Sequence, residues 1–222
     1  MEKLEPMADF FARRVEMYDE HMLTEVEGCK EGYQKMAELI PENCEKLLDL
    51  GCGTGLELDF IFSRLPNISV TGIDLTEAML KKLSEKHPDK ALKLICGDYF
   101  EVDFERESFD CAVSFQTMHH FSHEKKKELY KKILSSLKNH GLYIECDYMV
   151  ELQQEEDYWF SENLRLRKEQ GIEEGEFFHY DTPCTIENQI KMLKQAGFIT
   201  VEQVFRIENT TILIARKCRN EI

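Results

Sequence analysis

The sequence predicts a doubly wound α/β domain, a mostly parallel sheet covered by helices on both faces and ending in an antiparallel hairpin. Three observations carry that expectation. Short apolar runs of strand length alternate with amphipathic stretches of helical period through the middle of the chain. Parallel neighbours need a crossover, and the intervening helices supply it. The last two strand-like runs are joined only by Ile207, Glu208 and Asn209, too short a link for a crossover, so they pair antiparallel.

Taken in order, the first 40 or so residues read as helical, with Phe10, Phe11, Val15 and Met17 and then Tyr33, Met36, Leu39 and Ile40 as apolar positions. Strands are expected at Lys46 to Leu50, Ile68 to Asp74, Leu92 to Cys96, Phe109 to Phe115 and Leu142 to Asp147. A helix over Leu56 to Leu65 follows the first strand, and one over Thr76 to Lys86 follows the second, with Thr76 placed to cap its free amides. Ser122 caps a third, in which Leu129, Ile133 and Leu137 recur every four residues and which ends near Asn139-His140-Gly141, where glycine takes a left-handed conformation. A helix over Thr185 to Ala196 is stopped by Gly197 and leads into the hairpin strands Thr200 to Arg206 and Thr210 to Arg216. The chain divides as one domain, 1–222: a helical cap (1–42), a cofactor-binding core (43–150), a lid or substrate insertion (151–182) and a C-terminal helix and hairpin (183–222). Cap and insertion are expected to fold over the C-terminal edge of the sheet, where open α/β domains bind ligands.

Composition narrows the function. Against 28 Lys and Arg stand 43 Asp and Glu, a net charge of -15 that repels phosphate backbones and anionic headgroups. Nucleic acid and membrane are therefore not expected partners, although transfer RNA held in a local basic groove of an acidic protein stays open as an alternative. No apolar run approaches a membrane span, and the opening MEKLEPMADFFARR has no signal-peptide core, so a cytoplasmic location is expected. The 8 cysteines are scattered without a C-x-x-C pair and read as reduced packing residues.

The most informative stretch is Leu47-Leu48-Asp49-Leu50-Gly51-Cys52-Gly53-Thr54-Gly55-Leu56, a buried strand entering a glycine turn and then a helix. Such a turn brings backbone close to a ligand and presents helix-start amides to it. The spacing is G-x-G-x-G, with Leu56 where a dinucleotide fingerprint has its third glycine. Asp74 ends the next strand, placed to accept from two ribose hydroxyls, and Gly97-Asp98-Tyr99 after the third strand offers an acceptor and a ring to an adenine. A nicotinamide-dependent oxidoreductase shares the loop and Asp74 but is opposed by the missing glycine and the terminal hairpin. A cofactor-binding scaffold without turnover is the third alternative.

With LLDLGCGTG, TGIDLTEAML, CGDY, FDCAVSFQTMHHF, GLYIECDY and LKQAGFITVEQVF in this order, the chain resembles the class I S-adenosylmethionine-dependent methyltransferases of small-molecule type, roughly from Lys46 to Lys217. The resemblance implies a seven-stranded sheet with a reversed last hairpin, S-adenosylmethionine as cofactor and a small-molecule methyl acceptor. It implies that Asp49, Gly51, Cys52 and Gly53 line the methionine moiety, and that Asp74 holds the ribose. Leu75 and Met79 then pack on the adenine, Gly97, Asp98 and Tyr99 meet its edge and face, and Ser114 and Phe115 sit beside the sulfonium. The stretch from Phe10 to Asp19 is similar to F-x-x-R-x-x-x-Y-D in related enzymes, which implies that Tyr18 closes over the cofactor.

Methyl transfer from a sulfonium is an in-line displacement, so few catalytic side chains are obligatory. His119 and His120, in the run after the fourth strand, are the candidates for orienting the acceptor or removing its proton. No metal is expected, because no carboxylate stands at ligand spacing from these histidines. Glu145 and Asp147 close the fifth strand and reach toward the same pocket, with one of them expected on the opposite sheet face. The segment from Glu151 to Glu176 carries nine acids and the aromatics Tyr158, Trp159 and Phe160, which suits either an acidic lid over a cationic or aromatic acceptor or a solvated helix with an apolar inner stripe. Phe177, Phe178, His179, Tyr180 and Thr182 are candidate acceptor walls.

Overall fold

A computed structural model of the chain describes residues 3–173 and 175–218; Glu174 of the acidic segment lies outside them. Among the described residues there are eight strands: β1 (Lys46–Leu50), β2 (Ser69–Asp74), β3 (Leu92–Cys96), β4 (Phe109–Phe115), β5 (Leu137–Val150), β6 (Cys184–Thr185), β7 (Thr200–Ile207) and β8 (Thr210–Arg216). Seven of them form the main sheet in the order β3-β2-β1-β4-β5-β8-β7, and the two-residue β6 pairs with β5 off this path. Pairing is parallel from β3 to β5, while β8 is antiparallel to both β5 and β7. Strand order reverses between β1 and β4, which opens a crevice at their C-terminal ends.

The central strands are apolar on both faces because both faces are covered. Leu47, Val70, Cys111, Val113 and Ile144 pack on one side with residues of α2 (Cys29–Leu39) and α3 (Leu56–Arg64). Leu48, Leu50, Ala112, Tyr143 and Leu213 pack on the other with residues of α5 (His123–Ser136) and α7 (Ile186–Ala196). Two further helices frame the crevice, α1 (Met7–Thr24) and α4 (Glu77–Lys86). The Thr54 hydroxyl donates to Asp19 at 2.6 Å and the Lys82 ammonium to the Val15 carbonyl at 2.8 Å, fastening α1 across the glycine turn and α4. The segment after α6 (Gln153–Gln170) meets the N-terminus at the same edge, where Met7 N–H donates to the Phe177 carbonyl and His179 N–H to that of Glu5.

Three local expectations need correction. α5 stops at Ser136, and Gly141 lies inside β5 rather than in a left-handed cap. The fully buried Leu137 already pairs with Phe109, and a Cβ on Gly141 would come within 3.2 Å of the Asp110 carbonyl, so glycine is needed there for close approach. Thr76 occupies the N-cap of α4 without capping it by its side chain; the Asp74 carboxylate accepts from the Thr76 amide instead, at 2.8 Å. Ser122 does cap α5, accepting from the Lys125 amide. Glu145 and Asp147 share one sheet face, because residues two apart on a strand point the same way. Glu145 accepts from Gln189 on α7, while Asp147 faces His119.

Candidate active site

The glycine turn is built by backbone that only glycine adopts comfortably. Gly51, Gly53 and Gly55 all have positive φ, at 69°, 47° and 72°. A Cβ on Gly51 would stand 2.6 Å from the Thr117 hydroxyl, and one on Gly55 would stand 2.4 Å from a Leu83 methyl. Asp74 organises the turn from the neighbouring strand. One carboxylate oxygen accepts from Gly53 N–H at 2.9 Å and the other from Thr76 N–H at 2.8 Å. Each oxygen keeps a further lone pair for a ligand hydroxyl. Burial raises the Asp74 pKa, and the amides of Thr76 and Gly53 pull it back.

A narrow cleft leads from this turn along the C-terminal ends of β1, β2 and β4. Tyr18, Gly51, Gly53, Asp74, Leu75, Met79, Gly97, Asp98, Tyr99 and Phe115 line it, all of them residues the sequence pointed to. Tyr18 reaches the turn from α1, its ring edge 3.9 Å from where a Gly53 Cβ would sit. Asp49, Cys52 and Ser114 do not line the cleft. Asp49 is buried beneath the turn against Glu57, and burial first, then their mutual repulsion, raises its pKa; that of Glu57 stands at about 7. The Cys52 thiol turns under the sheet toward Gly72, whose missing side chain makes room for it. The Ser114 hydroxyl hydrogen-bonds the Tyr143 hydroxyl at 2.6 Å on the α5 face, since alternation along β4 aims only Phe115 at the cleft.

Other lining residues lie outside the expected cofactor set, although Phe177 is one of the candidate acceptor walls and Phe11 lies in the Phe10 to Asp19 stretch. Gln116 has a left-handed φ of 51°, which a non-glycine residue seldom adopts, and its side chain donates to Thr210 at 3.4 Å. Phe11, Thr117 and Phe177 complete the wall from three separate segments. The cleft holds about 60 Å³ of free space, whereas the chamber beyond it holds about 1050 Å³. Phe11, Tyr18, Gln116 and His120 border both, so they form the partition between them.

His119 and His120 sit on a short 3₁₀ turn, Met118–His120, immediately after β4. They differ in environment. His119 is buried, with Nδ1 2.6 Å from Asp147 and Nε2 3.4 Å from Asp181. Burial lowers its pKa, but the two carboxylates outweigh burial and raise it to about 10. His120 Nδ1 lies 3.4 Å from the Tyr180 carbonyl and 3.5 Å from Asp181, and burial together with His119 pushes its pKa well down. His179 stacks on Phe10 at 3.5 Å and lies 3.8 Å from the same Asp181 oxygen. The fold thus gathers three histidines around one carboxylate. Among the described residues, α6 contributes nothing to either cavity: its inner stripe packs Trp159 and Leu166 with Leu4 and Tyr180, and its acids face solvent apart from the buried Glu156. The solvated-helix reading of that segment is the one this packing matches.

The residues present suit an adenosyl amino acid. Asp74 presents two oxygens to the cleft beside the turn, Leu75, Met79 and Tyr99 line it with apolar surface, and Gly51 and Gly53 of the turn line it too. Comparison with known proteins agrees. A family model described as a methyltransferase domain matches residues 47–141. Carboxy-S-adenosyl-L-methionine synthase of Nautilia profundicola is 27% identical, covering 96% of both chains, and that of Helicobacter pylori strain G27 is 32% identical, covering 77% of this chain and 75% of its own. A putative O-methyltransferase from Nostoc punctiforme superposes with a TM-score of 0.73 at 20% identity, over 96% of this chain and 62% of that one. Human N-acetylserotonin methyltransferase in complex with SAM gives 0.68 at 14% identity, over 93% and 56%. The chain belongs to the class I S-adenosylmethionine-dependent methyltransferase family.

Proposed function

We propose that the chain transfers a methyl group to a neutral small molecule held in the chamber beyond the cleft. The observation that carries this reading is the shared partition: the cleft under Asp74 opens into the chamber past Tyr18, Gln116 and His120. In this reading Asp74 holds the ribose, Leu75 and Met79 pack on the adenine, Asp98 and Tyr99 meet its edge and face, and Gly51 and Gly53 pass beside the methionine end. S-adenosylmethionine supplies a methyl carried on a sulfonium. The chain's own work is to hold the acceptor in line, with Phe115 and the partition residues keeping water away.

Entry to so narrow a cleft requires the wall to yield, and α1, tied to the glycine turn through Asp19 and to α4 through the Val15 carbonyl, is the wall that spans it. Tyr18 then closes again over the ligand. His119 is held at Nδ1 by Asp147, which suits it to position its neighbours, while His120 borders both cavities and faces the acceptor.

The full-length relatives favour a second reading, in which a carboxylated cofactor is the product. Chamber electrostatics favour methyl transfer. The arginine at its wall already faces a carboxylate, Arg14 with Glu5, and its imidazoles lie against acids, His21 beside Glu25 and His119, His120 and His179 beside Asp181. An incoming carboxylate would meet acids and no spare protein cation on this wall. The test is turnover with methyl-labelled S-adenosylmethionine across a panel of phenols, hydroxy acids and amines, followed by mass spectrometry. S-adenosylhomocysteine with a labelled acceptor supports the proposal; a carboxylated sulfonium overturns it. Tight binding with no product from any acceptor points to a scaffold instead.

A further inference from the structure

We propose that Asp181 Oδ1, His119 Nε2 and His120 Nδ1 bind a divalent transition-metal ion at the chamber wall. The ligand atoms of the first three residues all lie within 4.8 Å of one another. From Asp181 Oδ1 the distances are 3.4 Å to His119 Nε2, 3.5 Å to His120 Nδ1 and 3.8 Å to His179 Nε2. Metal bonds of roughly 2.0–2.1 Å in a tetrahedron set ligand-to-ligand edges of about 3.4 Å. The two edges from Asp181 Oδ1 to His119 Nε2 and His120 Nδ1 are already close to that length.

Three further observations point to an ion rather than to a plain ion-pair network. Asp181 Oδ1 is buried and has no hydrogen bond of good geometry, although two imidazoles stand within 3.5 Å of it. All three imidazoles aim a nitrogen at that one oxygen, a convergence that a central cation explains. Behind His119, the fully buried Asp147 takes Nδ1 at 2.6 Å, the carboxylate–histidine arrangement that fixes the tautomer of a metal-binding imidazole. The frame is rigid: both the amide and the hydroxyl of Thr182 donate to the His119 carbonyl, at 2.7 and 2.8 Å, locking the Asp181 segment onto the histidine turn. Nitrogen with one carboxylate oxygen suits zinc, iron(II), cobalt(II) or manganese(II) over calcium or magnesium.

Resting on the methyltransferase reading, the site also names the acceptor class. Its open side faces the chamber, so a hydroxyl-bearing acceptor would reach the ion and give up its proton to solvent on binding. Transfer then forms the O–CH₃ bond and breaks the S–CH₃ bond, leaving a neutral thioether.

The test uses the full chain, stripped with chelator under reducing conditions and titrated with cobalt(II) and zinc(II) by calorimetry and absorption spectroscopy. One equivalent should bind, with a cobalt spectrum that lacks a thiolate charge-transfer band. Asp181→Asn should abolish stoichiometric binding, and Asp147→Asn, which touches no ion, should weaken it about 10–100-fold. Thermal melting checks that each variant is folded, and the spectrum of the unmodified chain decides the matter if a variant is not. A second His–Glu–Cys group, His123, Glu156 and Cys184, serves as the internal control. Absence of stoichiometric binding overturns the proposal, as does binding that survives Asp181→Asn or a thiolate band that vanishes in Cys184→Ser. S-adenosylhomocysteine binding is measured separately, so loss of the cofactor reading and loss of the metal site give different results.

Discussion

Replacing Asp74 by alanine tests the cofactor assignment at its strongest point. The carboxylate holds two backbone amides, at 2.9 and 2.8 Å, with lone pairs left for two ribose hydroxyls. A hydrogen bond to a charged group contributes about 1.5–3 kcal/mol, so losing two removes about 3–6 kcal/mol of binding. At about 1.4 kcal/mol per decade, the dissociation constant rises roughly 10²–10⁴-fold. Loosening of the glycine turn, once Gly53 and Thr76 lose their acceptor, adds to the loss. Asp74→Asn keeps one acceptor oxygen per residue and should lose about tenfold, one charge-assisted bond's worth. Isothermal titration with S-adenosylhomocysteine reads both variants, with circular dichroism to confirm that each is folded. If a folded Asp74→Ala chain binds within about threefold of wild type, less than one hydrogen bond's worth, the ribose assignment is wrong.

Other outcomes follow from the same geometry. Gly51→Ala forces a left-handed alanine against the Thr117 hydroxyl and should cost about 1–3 kcal/mol in denaturant unfolding, with weaker cofactor binding; an unchanged midpoint would count against a rigid turn. Asp19→Asn weakens the ties of α1 to Thr54 and to Lys82 and should speed cofactor release more than it slows entry, as stopped-flow measurement of the two rates would reveal. The buried Glu156 has its pKa lowered to about 2: burial alone would raise it, but His123, Thr185 and Asn188 outweigh that, and Cys184 first, then Glu156, raises His123 to about 9. The Glu156 contribution is full above its ordinary value near 4.5 and lost as pH falls through 2; that of His123 is full below 6.5 and lost as pH rises through 9. Melting temperature should therefore fall between pH 6.5 and 9 in the wild type, and this component should vanish in His123→Gln; an identical slope in both chains would show that the pair does not couple to folding.

What the sequence determined by itself is the frame and the cofactor turn, because both are written in neighbouring residues. Apolar runs of strand length specify a sheet buried on two faces, the short link before Thr210 forces the reversed hairpin, and glycines at 51, 53 and 55 with Asp74 at the next strand end need no distant partner to be read. Gly141 shows the limit of local reading, since a cap and a close approach look the same until Asp110 is seen beside it. Only the tertiary structure decided what lines the chamber. Tyr18 over the turn, Gln116 in a left-handed conformation and the carboxylates of Asp147 and Asp181 around His119 come together from segments far apart in the chain. An imidazole's charge, tautomer and free nitrogen depend on which carboxylate reaches it through space, and sequence order carries no such distance.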